Sequence, residues 1–240
     1  MAAPPSYNAE GGIGLKTDCH PLKRFRMKSV VILCNGEFPK KAYPLYLLES
    51  AGAVVCCDGA AVKYVRKFGE GRLPEAVIGD MDSLPRRWRE KLAPIVVKVE
   101  EQDDNDMTKA MRYVLEHHPD VTDIHILGAS GLREDHTVGN LGLLMEYTRM
   151  FDLGGIRVEM VSDHSTAFAL TDSCELHVGE GRRVSLFSPD NSLTIKSEGL
   201  HWPTDGVVFD NWWPATLNRA DDDVVKLTFS HPSRARVILD

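Results

Sequence analysis

The sequence predicts an α/β fold in two parts: an N-terminal, mostly parallel α/β domain, then a C-terminal antiparallel β-sandwich or barrel domain. Three observations predict it. From residue 28 onward, short wholly apolar runs alternate with helical-period segments. Beyond about residue 157 the texture changes to short alternating segments separated by glycine, proline and Asp-Asn punctuation. The acidic and glycine-containing motifs of the first part all fall directly after its apolar runs.

Residues 29–34 read as a strand and 41–50 as a helix with Tyr43, Leu47 and Leu48 near one face. A strand at 54–57, a helix at 60–68, and strands at 76–78 and 94–99 follow. Next come a helix at 108–117, a strand at 124–127 and a long amphipathic helix at 137–151. Wholly apolar strands separated by helices point to a parallel sheet covered on both faces. The later segments, 157–162, 168–170, 175–177, 183–187, 193–197, 224–228 and 236–239, are broken by Gly179, Gly181, Pro189, Asp190-Asn191 and Gly199. Closely spaced short strands with turn residues between them predict antiparallel pairing. The expected organisation is a flexible extension at 1–27, an α/β domain at 28–155 and a β domain at 156–240.

A hydrophobic content of 43% supports a sizeable core, and a net charge of −7 excludes a general nucleic-acid binder, which would present a basic face. An acidic protein that takes an anion must use metal ions, local arginines or backbone amides. The five cysteines form no CxxC pair, and Cys34, Cys56 and Cys57 lie in apolar runs where a reduced thiol is a small buried hydrophobe. The first residues, with Pro4 and Pro5 and no long apolar run, match neither a signal peptide nor a membrane span, so the cytoplasm is the expected compartment.

Four polar loops are expected at one edge of the sheet, where α/β proteins place their chemistry. Asp58-Gly59-Ala60 follows the second strand, and Gly79-Asp80-Met81-Asp82-Ser83 the third. In an extended segment Asp80 and Asp82 point the same way and reach one hard cation such as Mg²⁺, which is held by carboxylates and phosphate oxygens. The bland alternative is a solvated acidic turn, with Ser83 capping the next segment. Asp103, Asp104 and Asp106 suit a helix N-terminus, where Asp106 caps, supplies a metal ligand, or does both, and Thr108 and Lys109 face a phosphate. Gly128 to Gly131 can bring backbone close to a phosphate, with Arg133 as its fork-shaped partner. His136 is expected to be a partly buried residue of the following helix turn rather than a base.

Together these motifs resemble the thiamin pyrophosphokinase family. The matching residues are Asp58-Gly59-Ala60, Gly79 to Ser83, Gln102-Asp103, Asp106 to Lys109, and Gly128-x-x-Gly131-x-Arg133-x-Asp135-His136. The resemblance runs from about residue 28 to the C-terminus and implies an ATP-binding α/β domain followed by a thiamin-binding and dimerising β domain. It implies that the hydroxyethyl oxygen of thiamin attacks the β-phosphorus of ATP and AMP departs. Asp80, Asp82 and Asp106 would hold Mg²⁺. ATP would be held by Asp58, Gly59, Ser83, Thr108, Lys109, Gly128, Gly131 and Arg133. Gln102 and Asp135 would act as polar positioners, and thiamin would lie between the subunits of a homodimer. Where family members carry Gly-Thr-Ser-Asn-Glu, this chain has Ala215-Thr216-Leu217-Asn218-Arg219, which keeps Thr216 and Asn218 as substrate contacts. Trp212 and Trp213 precede this run. One is expected to face the core and the other to stack on the cationic thiazolium or the pyrimidine. Two rival readings remain: a pyrophosphokinase for another heterocyclic alcohol such as a hydroxymethylpterin, and a non-catalytic thiamin or nucleotide sensor.

Overall fold

The computed structural model describes residues 29–240; the expected 1–27 extension and Cys19 lie outside the described residues. Packing divides the described chain into two compact units between Ala169 and Leu170. The division falls later in the chain than the expected boundary between residues 155 and 156. The strand at Arg157–Val161 pairs in parallel with Asp123–Leu127 along its length, and Thr166–Leu170 turns back antiparallel onto it.

The first unit contains β1 (Ser29–Leu33), α1 (Ala42–Ser50), β2 (Ala53–Cys57), α2 (Ala60–Phe68), β3 (Ala76–Gly79) and α3 (Arg86–Leu92). It continues with β4 (Val96–Lys98), α4 (Asp106–His117), β5 (Asp123–Leu127), α5 (Glu134–Met150), β6 (Arg157–Val161) and β7 (Thr166–Leu170). Strand order is β7-β6-β5-β1-β2-β3-β4, parallel except for β7. Because β1 lies between β2 and β5, the order reverses there, and ligands of such sheets bind outside the carboxyl ends of the strands at that switch point.

Alternation along the strands explains why both sheet faces are buried. On one face Val31, Leu33, Val54, Cys56, Val77 and Leu127 pack with Leu47 and Leu48 of α1, Tyr64 and Val65 of α2, and Trp88 and Leu92 of α3. Cys57, one residue on from Cys56, instead reaches the start of α4, its thiol contacting the carbonyl of Asp106. α4 buries Met107, Ala110, Met111 and Val114 and packs on β1, β2 and β3. Cys34, Cys56 and Cys57 are free and buried, as their apolar surroundings predict.

The second unit contains β8 (Cys174–His177), β9 (Arg183–Phe187), β10 (Ile195–Glu198), β11 (Asn218–Arg219), β12 (Val224–Phe229) and β13 (Ala235–Leu239). Its pairings are antiparallel: β9 lies between β11 and β13, and β12 between β10 and β8, the latter three forming a separate sheet. Leu176, Val184, Leu186, Ile195, Val225, Leu227 and Val237 supply its core. Among the described residues no helix is long and apolar enough to cross a membrane.

Candidate active site

At the switch point the loops leaving β1 and β5 are laced together. Cys34 N donates to Leu127 O at 2.8 Å, Gly36 N to Gly128 O at 2.7 Å and Glu37 N to Ser130 O at 2.8 Å. Glycine is required at both approaches. A Cβ on Gly36 would lie 2.3 Å from Gly128 O, and Gly128, at φ +64, would bring one to 2.6 Å from Cys34 O. On the other side, Asn140 Nδ2 of α5 donates to Ala129 O at 2.8 Å. The carbonyls of Gly128, Ala129 and Ser130 are thus all directed at protein donors. In a trans peptide the following N–H points the opposite way, so the N–H groups of Ala129, Ser130 and Gly131 each turn away from the donor to the preceding carbonyl. Because Asn140 lies on the opposite side from the Gly36 and Glu37 donors, the Ser130 N–H turns toward the β1 side and the N–H groups of Ala129 and Gly131 turn away from it. Next to this loop lies a small pocket lined in part by Glu37, Gly128, Ser130, Ser162 and Asp163. Lys63 of α2 fixes the β1 loop, donating to Asn35 O at 2.8 Å and Gly36 O at 2.7 Å.

The acidic loops meet around Asp106, the first residue of α4. Gly79 makes room for it: a Cβ there would lie 3.1 Å from all three carboxyl atoms of Asp106. Burial raises the pKa of Asp106, and Asp58, Asp80 and Asp82 push it further up while Lys109 opposes them. Asp80 is held below its ordinary value, chiefly by the Asp82 N–H at 3.0 Å, helped by a hydrogen bond from Gln102 and the charge of Lys109. Lys109 is 6% exposed, its Nζ 3.9 Å from Asp106 Oδ1 and 3.4 Å from Val99 O. The backbone between Asp80 and Asp82 is not the extended segment expected. Met81 adopts φ +70 and turns its side chain into the core, so proximity to Asp106, rather than period-two alternation, associates these carboxylates.

Several expected phosphate contacts are hydrogen-bonded to protein groups. Asp58, 2% exposed, accepts from Ser83 N at 2.8 Å and Ser83 Oγ at 2.7 Å, clamping the β2 and β3 loops, while its Oδ1 is buried without a partner. A Cβ on Gly59 would lie 2.7 Å from the Asn35 side chain, so this glycine serves packing. The buried Thr108 hydroxyl is committed to Asn105 and Tyr147. Arg133 forms a two-point, exposed ion pair with Asp135, and exposed pairs of this kind are weak and easily exchanged. His136, expected to be partly buried, is exposed. Among the described residues no group of three or more His, Cys, Asp or Glu side chains is arranged as a ready-made metal site.

In the second unit the segment before β11 consists of turns, not a strand, so adjacent tryptophans need not face opposite ways. Trp212 and Trp213 are both exposed, at 54% and 71%, and neither is core. Thr216 caps the turn by donating from Oγ1 to Trp213 O at 2.8 Å. Asn218 is buried, and its amide brackets Trp202, accepting from Trp202 N and donating to Trp202 O. Trp202 itself, also exposed, is absent from the sequence expectation, as are Lys63, Asn105 and Asn140. The Asn35-Gly36 pair after an apolar run was a visible turn signal for the β1 loop. Asn140, in mid-helix, carried none.

An open, mostly parallel sheet with its acidic and glycine-containing loops at the carboxyl edge, about a reversal of strand order, defines the class: an α/β protein of the kind that binds its ligand at a topological switch point. Two family descriptions match the chain, "Thiamin pyrophosphokinase, catalytic domain" over residues 45–153 and "Thiamin pyrophosphokinase, substrate-binding domain" over 167–231. The chain belongs to the thiamin pyrophosphokinase family, enzymes that transfer pyrophosphate from ATP to thiamin. It is 29% identical over 227 residues to thiamine pyrophosphokinase 1 of Oryza sativa subsp. japonica, with 82% of each chain covered. It is 41% identical over 132 residues to thiamine pyrophosphokinase of Bacillus subtilis, covering 49% of this chain and 55% of that one. The fold is similar to the crystal structure of the Bacillus subtilis enzyme, with TM-score 0.70, 19% identity, and coverage of 89% and 99%. It is also similar to yeast thiamin pyrophosphokinase, with TM-score 0.70, 17% identity, and coverage of 91% and 88%.

Proposed function

We propose that this chain catalyses pyrophosphoryl transfer with the residues gathered at the carboxyl edge of its first unit, and that Asp80, Asp82 and Asp106 hold Mg²⁺. The observation that supports this reading is the seat of Asp106 at the head of α4 against Gly79, where burial chiefly, and the charges of Asp58, Asp80 and Asp82 in addition, raise its pKa. Carboxylates that repel one another in a half-buried site, with Asp58 Oδ1 left without a partner, suit a hard divalent cation completed by phosphate oxygens. When bound, Mg²⁺ would neutralise charge on the transferring pyrophosphate.

The chain's own groups supply the remainder. The Ser130 amide receives a phosphate oxygen, and Lys109 and Arg133 add positive charge, Asp135 orienting the Arg133 fork until a phosphate replaces it. Gln102 keeps the Asp80 carboxylate aimed at the site. Alignment of the thiamin hydroxyl with the β-phosphorus, rather than covalent participation by the protein, accounts for the rate. The second unit provides the thiamin face through its exposed tryptophans, with Thr216 and Asn218 shaping the turns that carry them. Its two antiparallel layers form a sandwich that also joins the subunits of a cytoplasmic homodimer.

AMP release measured with and without thiamin, in the presence and absence of Mg²⁺, tests the reading. Thiamin-dependent release that collapses in Asp80→Asn and Asp82→Asn, with the fold intact, supports it. Full turnover by both variants removes the metal assignment. Release driven by a hydroxymethylpterin instead of thiamin identifies the rival pyrophosphokinase, and thiamin binding without AMP release identifies a sensor.

A further inference from the structure

A one-way hydrogen-bond chain runs from Tyr147 to Ala129 through Asn105 and Asn140, two residues given no role above. Asn140 Nδ2 donates to Ala129 O at 2.8 Å, and Asn140 Oδ1 accepts from Asn105 Nδ2 at 3.0 Å. Asn105 Oδ1 caps α4 by accepting from Thr108 N at 3.0 Å, and it also accepts from Thr108 Oγ1 at 3.1 Å. The hydroxyl of Tyr147 lies 3.0 Å from Thr108 Oγ1. The orientation of both amides is fixed from the ends. Ala129 O only accepts and Thr108 N only donates, so neither Asn105 nor Asn140 can flip without facing like against like. Thr108 has already given its one proton to Asn105, so Tyr147 donates to Thr108; burial raises the Tyr147 pKa and keeps that proton in place.

The chain ties together two loops that belong to different strands. At one end the bond to Ala129 O sets the plane of the Ala129–Ser130 peptide, and hence the direction of the Ser130 N–H. At the other end Asn105 fixes the first turn of α4, where Asp106 and Lys109 stand. We propose that Asn140 is a positioning residue for pyrophosphoryl transfer, holding the Ser130 amide in fixed register with Asp106 and Lys109. The inference rests on the reading of the active site given above. Asn140 is 7% exposed, and it acts through the peptide it orients.

Asn140→Asp is the selective test. It keeps an acceptor for Asn105 Nδ2 but replaces the donor to Ala129 O with an oxygen. Tyr147→Phe serves as the comparison, removing a buried hydroxyl from the same chain without touching either loop. Kinetics are measured on folded protein well below each melting midpoint, with thiamin and MgATP varied separately. Asn140→Asp is expected to lower kcat/KM for MgATP by about 10- to 100-fold, with the thiamin KM changed by no more than about two-fold. Tyr147→Phe should leave both parameters within about two-fold even where it lowers the melting temperature. A second readout needs no turnover: amide hydrogen exchange across residues 128–133 should quicken about tenfold in Asn140→Asp and stay unchanged in Tyr147→Phe. Unaltered exchange in Asn140→Asp overturns the proposal even if the wild-type chain turns out not to release AMP. Equal kinetic losses in the two variants overturn it by reducing Asn140 to a stability residue.

Discussion

The guanidinium of Arg236 lies 4.5 Å from the centre of the Phe187 ring, its direct partner across the β9–β13 pairing, and its Nε and Nη1 are buried without hydrogen-bond partners. Trp212 supplies a second ring at 5.6 Å. Arg236 is 2% exposed, and burial pushes its pKa down to about 10. The penalty on the charged form is present at neutral pH and relaxes as pH rises through about 10. Replacing a buried, unpaired charge with an apolar side chain of similar volume is neutral or favourable. Arg236→Met should therefore leave stability unchanged or raise it by up to about 4 kcal/mol in urea unfolding at pH 7. A clear loss would mean that the two ring contacts outweigh desolvation.

The tryptophan pair gives a second prediction. Because both are exposed, neither Trp212→Ala nor Trp213→Ala should show the loss of about 3–5 kcal/mol that truncating a core tryptophan brings. One face of Trp212 is taken by Arg236, which leaves Trp213 as the freer platform. Trp213→Ala should weaken thiamin binding by about 1–2 kcal/mol, roughly five- to thirty-fold, and leave MgATP binding unaltered. Separate titrations of the two ligands decide it; a defect confined to MgATP would relocate the thiamin face.

Asp106 predicts the response to cations. Its pKa is raised by burial and by Asp58, Asp80 and Asp82, so its ionised form costs stability above that raised pKa, and the cost disappears as pH falls below the ordinary carboxylate value. At neutral pH Mg²⁺ should raise the melting temperature of the wild-type chain, since a ligand of the folded state alone stabilises by mass action. Asp106→Asn should melt higher than wild type without Mg²⁺ and gain less from it. Differential scanning calorimetry with and without the cation checks both statements.

In the second unit Asp190 accepts hydrogen bonds from Ser192 Oγ at 2.6 Å, Ser233 Oγ at 2.6 Å and Ser192 N at 2.9 Å, with His231 Nε2 at 3.2 Å. These donors hold its pKa far below the ordinary carboxylate value. A depressed carboxylate stabilises above its unfolded pKa, and that contribution is lost as pH falls through the folded value. Asp190→Asn should cost about 1–3 kcal/mol at pH 7. The difference from wild type should shrink steadily below about pH 4. A constant difference across that range would assign the loss to packing instead of charge.

The apolar strands were legible because β1, β2, β3 and β5 are buried on both faces and leave no other reading for runs such as Val30 to Leu33. α3 was not legible. Its sequence, Arg86 to Leu92, is mostly charged, and only Trp88 and Leu92, one turn apart, reach the core. The acidic motifs marked the loops at the carboxyl edge, but the sequence could not show that Asp58 and Ser83 satisfy each other or that Thr108 turns inward. Those facts depend on partners brought close by the parallel crossovers. The alternation argument misled at Met81 and at the tryptophan pair, because period two holds only inside strands and both stretches are turns. Asn140 lay in a helix with no motif of its own, and its importance exists only in the loop carbonyl it meets.

Gly79 has no functional group, yet the carboxyl of Asp106 lies close against the space its side chain would fill. Any other residue there would press a methyl or more into the seat of a proposed metal ligand, on a backbone at φ +148 that L-residues rarely adopt. In a saturation scan of this chain scored by thiamin-dependent growth, Gly79 would therefore behave like one of the aspartates, tolerating nothing. A position can be as unforgiving as a ligand by virtue of the atom it lacks.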